Sequence, residues 1–190
     1  MSHFELIATS AFGIESIVAH ELRVLGYRDL KISNGKVEFN GDYSDILRTN
    51  IWLRCADRVL IKLKEATVKD FEELFQAALS IRWEKFLPED AFIHVKGKSI
   101  KSQLFSVPDC QAIVKKAIIE AMKRKYSKDI FPEEGTRYRI DISILKDVAT
   151  ITLDTSGEGL HKRGYRTKAG GAPLRETLAA ALIYISRWTG

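Results

Sequence analysis

Cysteine is scarce in this chain: Cys55 and Cys110 are its only two in 190 residues, far apart and without a Cys-x-x-Cys pair. They read as ordinary core thiols of a reduced, cytosolic protein. Histidine is almost as rare. His3, His20, His94 and His161 show no i,i+4 pairing and no cysteine neighbour, so the sequence offers no metal-ligand set. No stretch of about eighteen apolar residues occurs, and no apolar run follows a basic N-terminus. A signal peptide and a membrane span are therefore not expected, and a soluble, cytoplasmic protein is. Proline is limited to Pro88, Pro108, Pro132 and Pro173, all isolated. Pro88 and Pro108 bracket one region as breakers.

What is present is enough apolar material for a core, 45% of the residues, with a modest positive balance of +5 and a pI near 9.1. That tilt favours an anionic partner only where the charge is clustered. The order of elements begins with Phe4, Leu6 and Ala8 alternating as a strand. A helix over 13–25 follows, with Ile14, Ile17, Val18, Leu22 and Leu25 on one face and His20 on the wet one. Asn34-Gly35 is the dipeptide best suited to a two-residue hairpin turn of type I′ between strands at 30–33 and 36–39. A helix over 43–53 and a strand carrying Val59, Ile61 and Leu63 complete β-α-β-β-α-β, the ferredoxin-like arrangement, closing near residue 66. Trp52 and Trp83 are expected as core or domain-interface anchors.

Beyond it, Phe71, Leu74, Phe75 and Leu79 predict a helix and 91–98 an extended run containing Lys96 and Lys98. A longer helix over 109–126, with Asp109 as its N-cap, carries Lys115, Lys116, Lys123, Arg124 and Lys125 opposite an apolar stripe. For this helix considered alone, a solvated face is the simpler explanation of the clustering. Strands over 137–145 and 148–154 alternate strictly and form a hairpin. After Gly170-Gly171, Pro173 opens a last helix with Leu174, Leu178, Leu182, Ile185 and Trp188 along one side. That stripe either packs back on the domain or was meant for another.

The hairpin delivers the stretch that carries chemistry, residues 153–169. Gly157, Gly159 and Gly164 punctuate it, and Lys162, Arg163, Arg166 and Lys168 load it with charge around Tyr165. Cations flanking an exposed ring are what single-stranded nucleic acid uses, phosphates on the guanidiniums and a base on the ring. A solvated loop whose tyrosine packs on its own domain is the other reading. Asp154 and Ser156 fit bonds to local backbone amides that hold the turn. With His161 they lie close in sequence, but no nucleophile elbow or oxyanion-hole motif accompanies them, and hydrolysis is not expected.

Asp154-Thr155-Ser156-Gly157, Leu160, Arg163-Gly164-Tyr165-Arg166 and then Ala172-Pro173-Leu174-Arg175-Glu176-Thr177-Leu178-Ala179-Ala180 resemble the junction of THUMP-domain RNA guanine-N2 methyltransferases. The nearest group resembles the enzyme of large-subunit (23S) ribosomal RNA. The resemblance implies an α+β chain: a ferredoxin-like domain over 1–66, a THUMP-like α/β domain over 67–168, and over 169–190 a linker and first helix towards a methyltransferase domain. It further implies that the THUMP region binds RNA while the downstream domain binds S-adenosylmethionine. The sequence departs from the whole family in one respect. No GxGxxG turn is present, and isolated prolines rule out an Asn-Pro-Pro or Asp-Pro-Pro loop, so this chain is expected to lack cofactor and catalysis of its own.

The expected mechanism is electrostatic capture with stacking. Lys162, Arg163, Arg166 and Lys168 contact phosphates, Tyr165 stacks, and Lys96, Lys98, Lys115 and Lys116 extend the track if the fold brings them alongside. Gly157, Gly159 and Gly164, with Asp154 and Ser156, shape the loop. The expected partners are RNA, by resemblance ribosomal, and a methyltransferase domain in cis. The alternatives are a protein-interaction module, in which the last helix and N-terminal sheet dock a partner, and the RNA-binding part of a thiouridine synthase or deaminase.

Overall fold

A computed structural model of the chain describes residues 3–168 and 170–188. Ala169, the last residue of the expected loop, and the end of the last segment lie outside the described residues. Two compact units are present, residues 1–61 with 155–190 and residues 62–154. Together they hold seven strands and five α-helices among the described residues.

The first unit is built from β1 (Phe4–Thr9), α1 (Glu15–Val24), β2 (Lys31–Ser33), β3 (Lys36–Gly41), α2 (Tyr43–Trp52) and the opening of β4 (Arg58–Thr67). This is the β-α-β-β-α-β order expected. β3 pairs antiparallel with both β1 and β2, and β4 lies on the other side of β1. Leu6, Ala8, Val37 and Phe39 of the sheet are buried, as are Val18, Ala19 and Leu22 of α1, which is how the 3.6 period and the period of two each hide one face. α2 starts where it does because Asp42 caps it. The Asp42 carboxylate accepts from Ser44 N at 2.8 Å and Asp45 N at 3.1 Å, while Asp45 Oδ2 accepts from Asp42 N at 2.9 Å.

Two readings of this unit need correcting. In the Asn34-Gly35 turn only Gly35 has positive φ (+75°), so the hairpin forms without the type I′ geometry, which needs positive φ at both central positions. Trp52 is 58% exposed, on an outward face of α2 that also carries Tyr43, Leu47 and Ile51. Only Ile46 and Thr49 of that helix are buried, so of the two roles expected for Trp52, core or domain-interface anchor, the core one is excluded.

α5 (Glu176–Ser186) also belongs to the first unit. Its start is tied by Thr177 Oγ1, which donates to Asp57 Oδ1 at 2.9 Å. Thr177 and Ala181 are its buried residues, whereas Leu174, Leu182, Ile185 and Trp188 of the expected stripe are exposed. The small residues, not the large ones, face the domain.

The second unit contains α3 (Phe71–Leu79), β5 (Phe92–Ile100), α4 (Val107–Tyr126), β6 (Arg137–Leu145) and β7 (Val148–Asp154). β6 lies between β5, to which it is parallel, and β7, to which it is antiparallel. Ile140, Ile142, Ile144, Ala149, Ile151 and Leu153 bury one face of the sheet, and Val114, Ala117 and Ile118 of α4 are buried as well. Trp83 is fully buried in a 3-10 turn, its Nε1 donating to Ala78 O at 2.9 Å. It is the core residue expected. α4 starts two residues early, with Ser106 as N-cap and Pro108 in its first turn, where a missing N–H is no loss. Asp109 is therefore inside the helix, accepting from the Ser106 hydroxyl.

Both thiols are buried. Burial, aided by the Glu21 carboxylate, pushes Cys55 up to about 12, and burial likewise raises Cys110. A thiol held protonated and out of solvent does not react. Ellman's reagent at pH 8 should release no thionitrobenzoate from the native chain and should titrate both thiols once it is unfolded; rapid native reaction would contradict this burial.

Candidate nucleic-acid interface

β7 ends at Asp154, and the chain from Thr155 onward packs on the first unit, around the end of α2 and the start of β4. The expected second domain placed this stretch at its own C-terminal end. Asn50 is the hub. Its Nδ2 donates to Thr155 Oγ1 at 2.9 Å, and its Oδ1 accepts from Ser156 Oγ at 2.7 Å. Ser156 Oγ in turn accepts from Val59 N at 2.8 Å, and Thr155 Oγ1 donates to Val59 O at 2.7 Å. The serine thus ties the loop to residues about a hundred positions away, where β4 and α2 offer polar groups at the point at which the loop leaves the sheet. Asp154, whose side chain is almost wholly covered, faces Arg139 at 3.8 Å.

The loop is fastened at three further points. Leu160 N donates to Asp57 O at 2.9 Å, Arg58 Nη1 donates to Gly157 O at 2.8 Å, and Arg163 Nη2 donates to Asn50 O. Asn50 O is among the last four carbonyls of α2, which no helical amide satisfies. A guanidinium there also meets the negative end of the helix dipole. Arg163 is therefore a strut, half-buried and committed to the fold. Arg166 is similarly engaged, donating to Leu174 O at 2.6 Å and facing Glu176 at 3.5 Å.

The residues left outward are others. Tyr165 is 75% exposed and packs under nothing. Lys168 is exposed, and Lys162 points to solvent with Glu158 at 3.0 Å, a contact that holds the Glu158 carboxyl below its usual range. His161, Lys162, Gly164, Arg166, Pro173, Arg175 and Glu176 line an open recess of about 440 Å³ beside them. Arg175 and Asn50 were missed in the sequence. Arg175 was legible only as part of a helix start, and Asn50 carries no local signal at all.

The glycines divide by role. Gly157 (φ +64°) and Gly164 (φ +80°) occupy the left-handed region, whereas Gly159 does not, and a Cβ there would lie 2.7 Å from the His161 ring. At Gly164 a Cβ meets nothing within 4 Å, so its demand is purely one of backbone. Gly164→Val should re-route the loop tip and weaken RNA binding while Tm falls by only a few degrees, about 1–2 kcal/mol. A large loss of Tm with binding retained would make the glycine structural.

The four lysines of the second unit do not form one track with each other. A Cβ on Gly97 would sit 3.0 Å from Val107 and 3.2 Å from Gln111, so the odd residues of β5 face α4, and Lys96 and Lys98 stand on the opposite side of the sheet. Lys115 and Lys116 are on α4 itself. Lys115 pairs with Glu133 at 2.8 Å, and Lys116 lies over the Phe75 ring at 5.8 Å.

Residues 5–60 match the RlmL ferredoxin-like domain and residues 68–154 the THUMP domain. This chain joins a ferredoxin-like domain to a THUMP domain. A relative from Bacillus subtilis, YpsC, named as a candidate RNA methyltransferase, is 53% identical over the whole chain, which spans 49% of that relative. The ribosomal RNA large subunit methyltransferase K/L of Magnetococcus marinus is 33% identical over 97% of the chain and 26% of its own length. A crystal structure from Listeria monocytogenes, described as a predicted N6-adenine-specific DNA methylase, superposes with a TM-score of 0.93 at 52% identity, covering 99% of this chain and 50% of that one. The THUMP chain thus spans about half the length, or less, of these relatives. No helix among the described residues is long and apolar enough to cross a membrane.

Proposed function

We propose that this chain is the RNA-binding portion of an S-adenosylmethionine-dependent RNA methyltransferase, presenting RNA to a catalytic domain carried elsewhere in a longer protein. The observation that carries the reading is the pinned loop of a THUMP-domain chain: its struts fix the backbone, and Tyr165, Lys162, Lys168 and the recess beside Arg175 remain outward for a base and phosphates. Preorganisation of this kind spares the ordering cost that a free loop would incur on binding. The identity with YpsC supports RNA as the substrate class, and the likeness to the ribosomal enzyme supports large-subunit RNA and a cytoplasmic setting.

No methyl-donor site is assigned to the described residues. The strand-to-helix turns at 10–14, 42, 68–70 and 101–106 lack the glycine-rich run that lets backbone approach a nucleotide-like ligand, so no chemical step is assigned to them.

The description of the Listeria protein favours a second reading, DNA. Fluorescence anisotropy of a labelled ribosomal RNA hairpin against duplex DNA of equal charge, across a salt series, separates the two. Tighter RNA binding is expected at every salt. Equal or tighter DNA binding would favour the second reading, and binding of neither would turn attention to a protein partner on the exposed faces of α2 and α5.

A further inference from the structure

The far end of the second unit, where β6 turns into β7, holds an arrangement that the loop site does not use. Lys146 and Asp147 form its two-residue turn, both with positive φ (+51° and +63°), and neighbouring Lys101 has φ +51°. Three of the six non-glycine residues with positive φ among the described residues therefore meet at one tip. A turn of this kind is satisfied most cheaply by Asn-Gly, and a lysine there carries a steric cost that asparagine or glycine avoids. Backbone held in such regions persists only where its surroundings over-determine it. Here they do: Val68 N donates to Asp147 O at 2.7 Å, Lys146 N to Ile100 O at 3.2 Å, Asp147 N to Ser102 Oγ at 3.1 Å and Gln103 N to Asp147 Oδ1 at 2.7 Å.

The side chains around the tip have a definite chemistry. Ile100 is in register with Leu145, and Leu145 with Val148, so three apolar residues form a row across three strands. They occupy the sheet face turned away from α4, and Ile100 and Leu145 are each 51% exposed. Phe105, 83% exposed, stands in the segment that follows. Lys98 lies two residues before Ile100 on the same face of β5, and Lys101 and Lys146 directly follow Ile100 and Leu145 in the chain; among the described residues none of the three has a carboxylate partner, and the carboxylate of Asp147 is bonded to Gln103.

We infer that this tip is a second contact surface for RNA, taking an unpaired segment whose bases lie on Phe105 and the Ile100–Leu145–Val148 row while Lys98, Lys101 and Lys146 meet its phosphates. Charge complementarity favours a polyanion, and the exposed ring and aliphatic row favour unstacked bases over a duplex. The inference rests on the RNA-binding reading above.

The test exploits the cost of the turn. In Lys101→Asn/Lys146→Asn the cations are lost while the left-handed positions receive a residue that suits them. Thermal melting should show Tm unchanged or raised. Anisotropy with a single-stranded RNA should show affinity down roughly tenfold, with the salt slope flatter by about 1.4, that is 0.7 for each lost phosphate contact. Phe105→Ala should weaken the same RNA by roughly tenfold with little change of slope. A parallel Tyr165→Ala/Lys168→Ala variant reports on the loop. If the loop variant weakens binding but the tip variants keep the parent's affinity and slope, the inference is overturned and the functional reading stands; if the unmodified chain binds no RNA, both are overturned.

Discussion

Asn50→Leu should lower stability by about 2–3 kcal/mol and abolish RNA binding by the loop. The leucine is close in volume, so the effect isolates the amide. Its loss leaves Ser156 Oγ without its acceptor and Thr155 Oγ1 without one of its partners, both half-buried, and a deserted polar group there costs about 1–3 kcal/mol. In a chain of this length that is a Tm lower by roughly 5–10 °C. Binding falls further than stability alone dictates, because the loop then leaves β7 without a fixed direction. Asn50→Asp keeps the acceptor for Ser156 and loses the donor to Thr155, so it should lie between parent and Asn50→Leu. A melting curve matching the parent's for Asn50→Leu would show that the hub holds nothing.

Trp83→Ala should be the most destabilising single change, by about 3–5 kcal/mol. The indole is wholly buried in the second unit and its N–H is bonded to Ala78 O, so truncation opens a cavity and removes a hydrogen bond together. Trp83→Phe, which keeps a ring and loses only the bond and some volume, should cost about 1–2 kcal/mol. Chemical denaturation followed by circular dichroism measures both; a loss below about 1 kcal/mol for the alanine variant would contradict the packing described.

Much of the fold was legible because its signals are local. The alternation in β6 and β7 gave both strands to the residue, and the period of α1 and α3 needed only their own side chains. What failed was whatever tertiary context decides. Asn34-Gly35 has the composition of a type I′ turn, yet the true positive-φ pair is Lys146-Asp147, whose lysine no propensity favours and which the 100–103 segment and Val68 enforce. The large residues of α5 left open whether their stripe packs back or meets another domain, and only the tertiary contacts show that Thr177 and Ala181 are the ones buried here. Asn50 lies 105 residues from Thr155, and no spacing rule connects them.

The loop shows the same division. Its glycines and cations were visible in sequence, as was a ring between two arginines, but not that the ring is exposed. Which cations are free was not. An arginine donating to a backbone carbonyl looks, as a letter, the same as one awaiting a phosphate, and Arg163 and Arg166 belong to the first kind. Arg163→Ala would therefore confound stability with binding, whereas the outward residues do not.

Tyr165→Ala/Lys168→Ala, measured for RNA affinity by anisotropy across a salt series beside its thermal melt, tests the central claim most directly. The expected result is an unchanged Tm, affinity lower by roughly tenfold or more from the lost stack, and a salt slope flatter by about 0.7 for the lost phosphate contact. An RNA affinity and slope equal to the parent's, in a variant that melts like the parent, would contradict it.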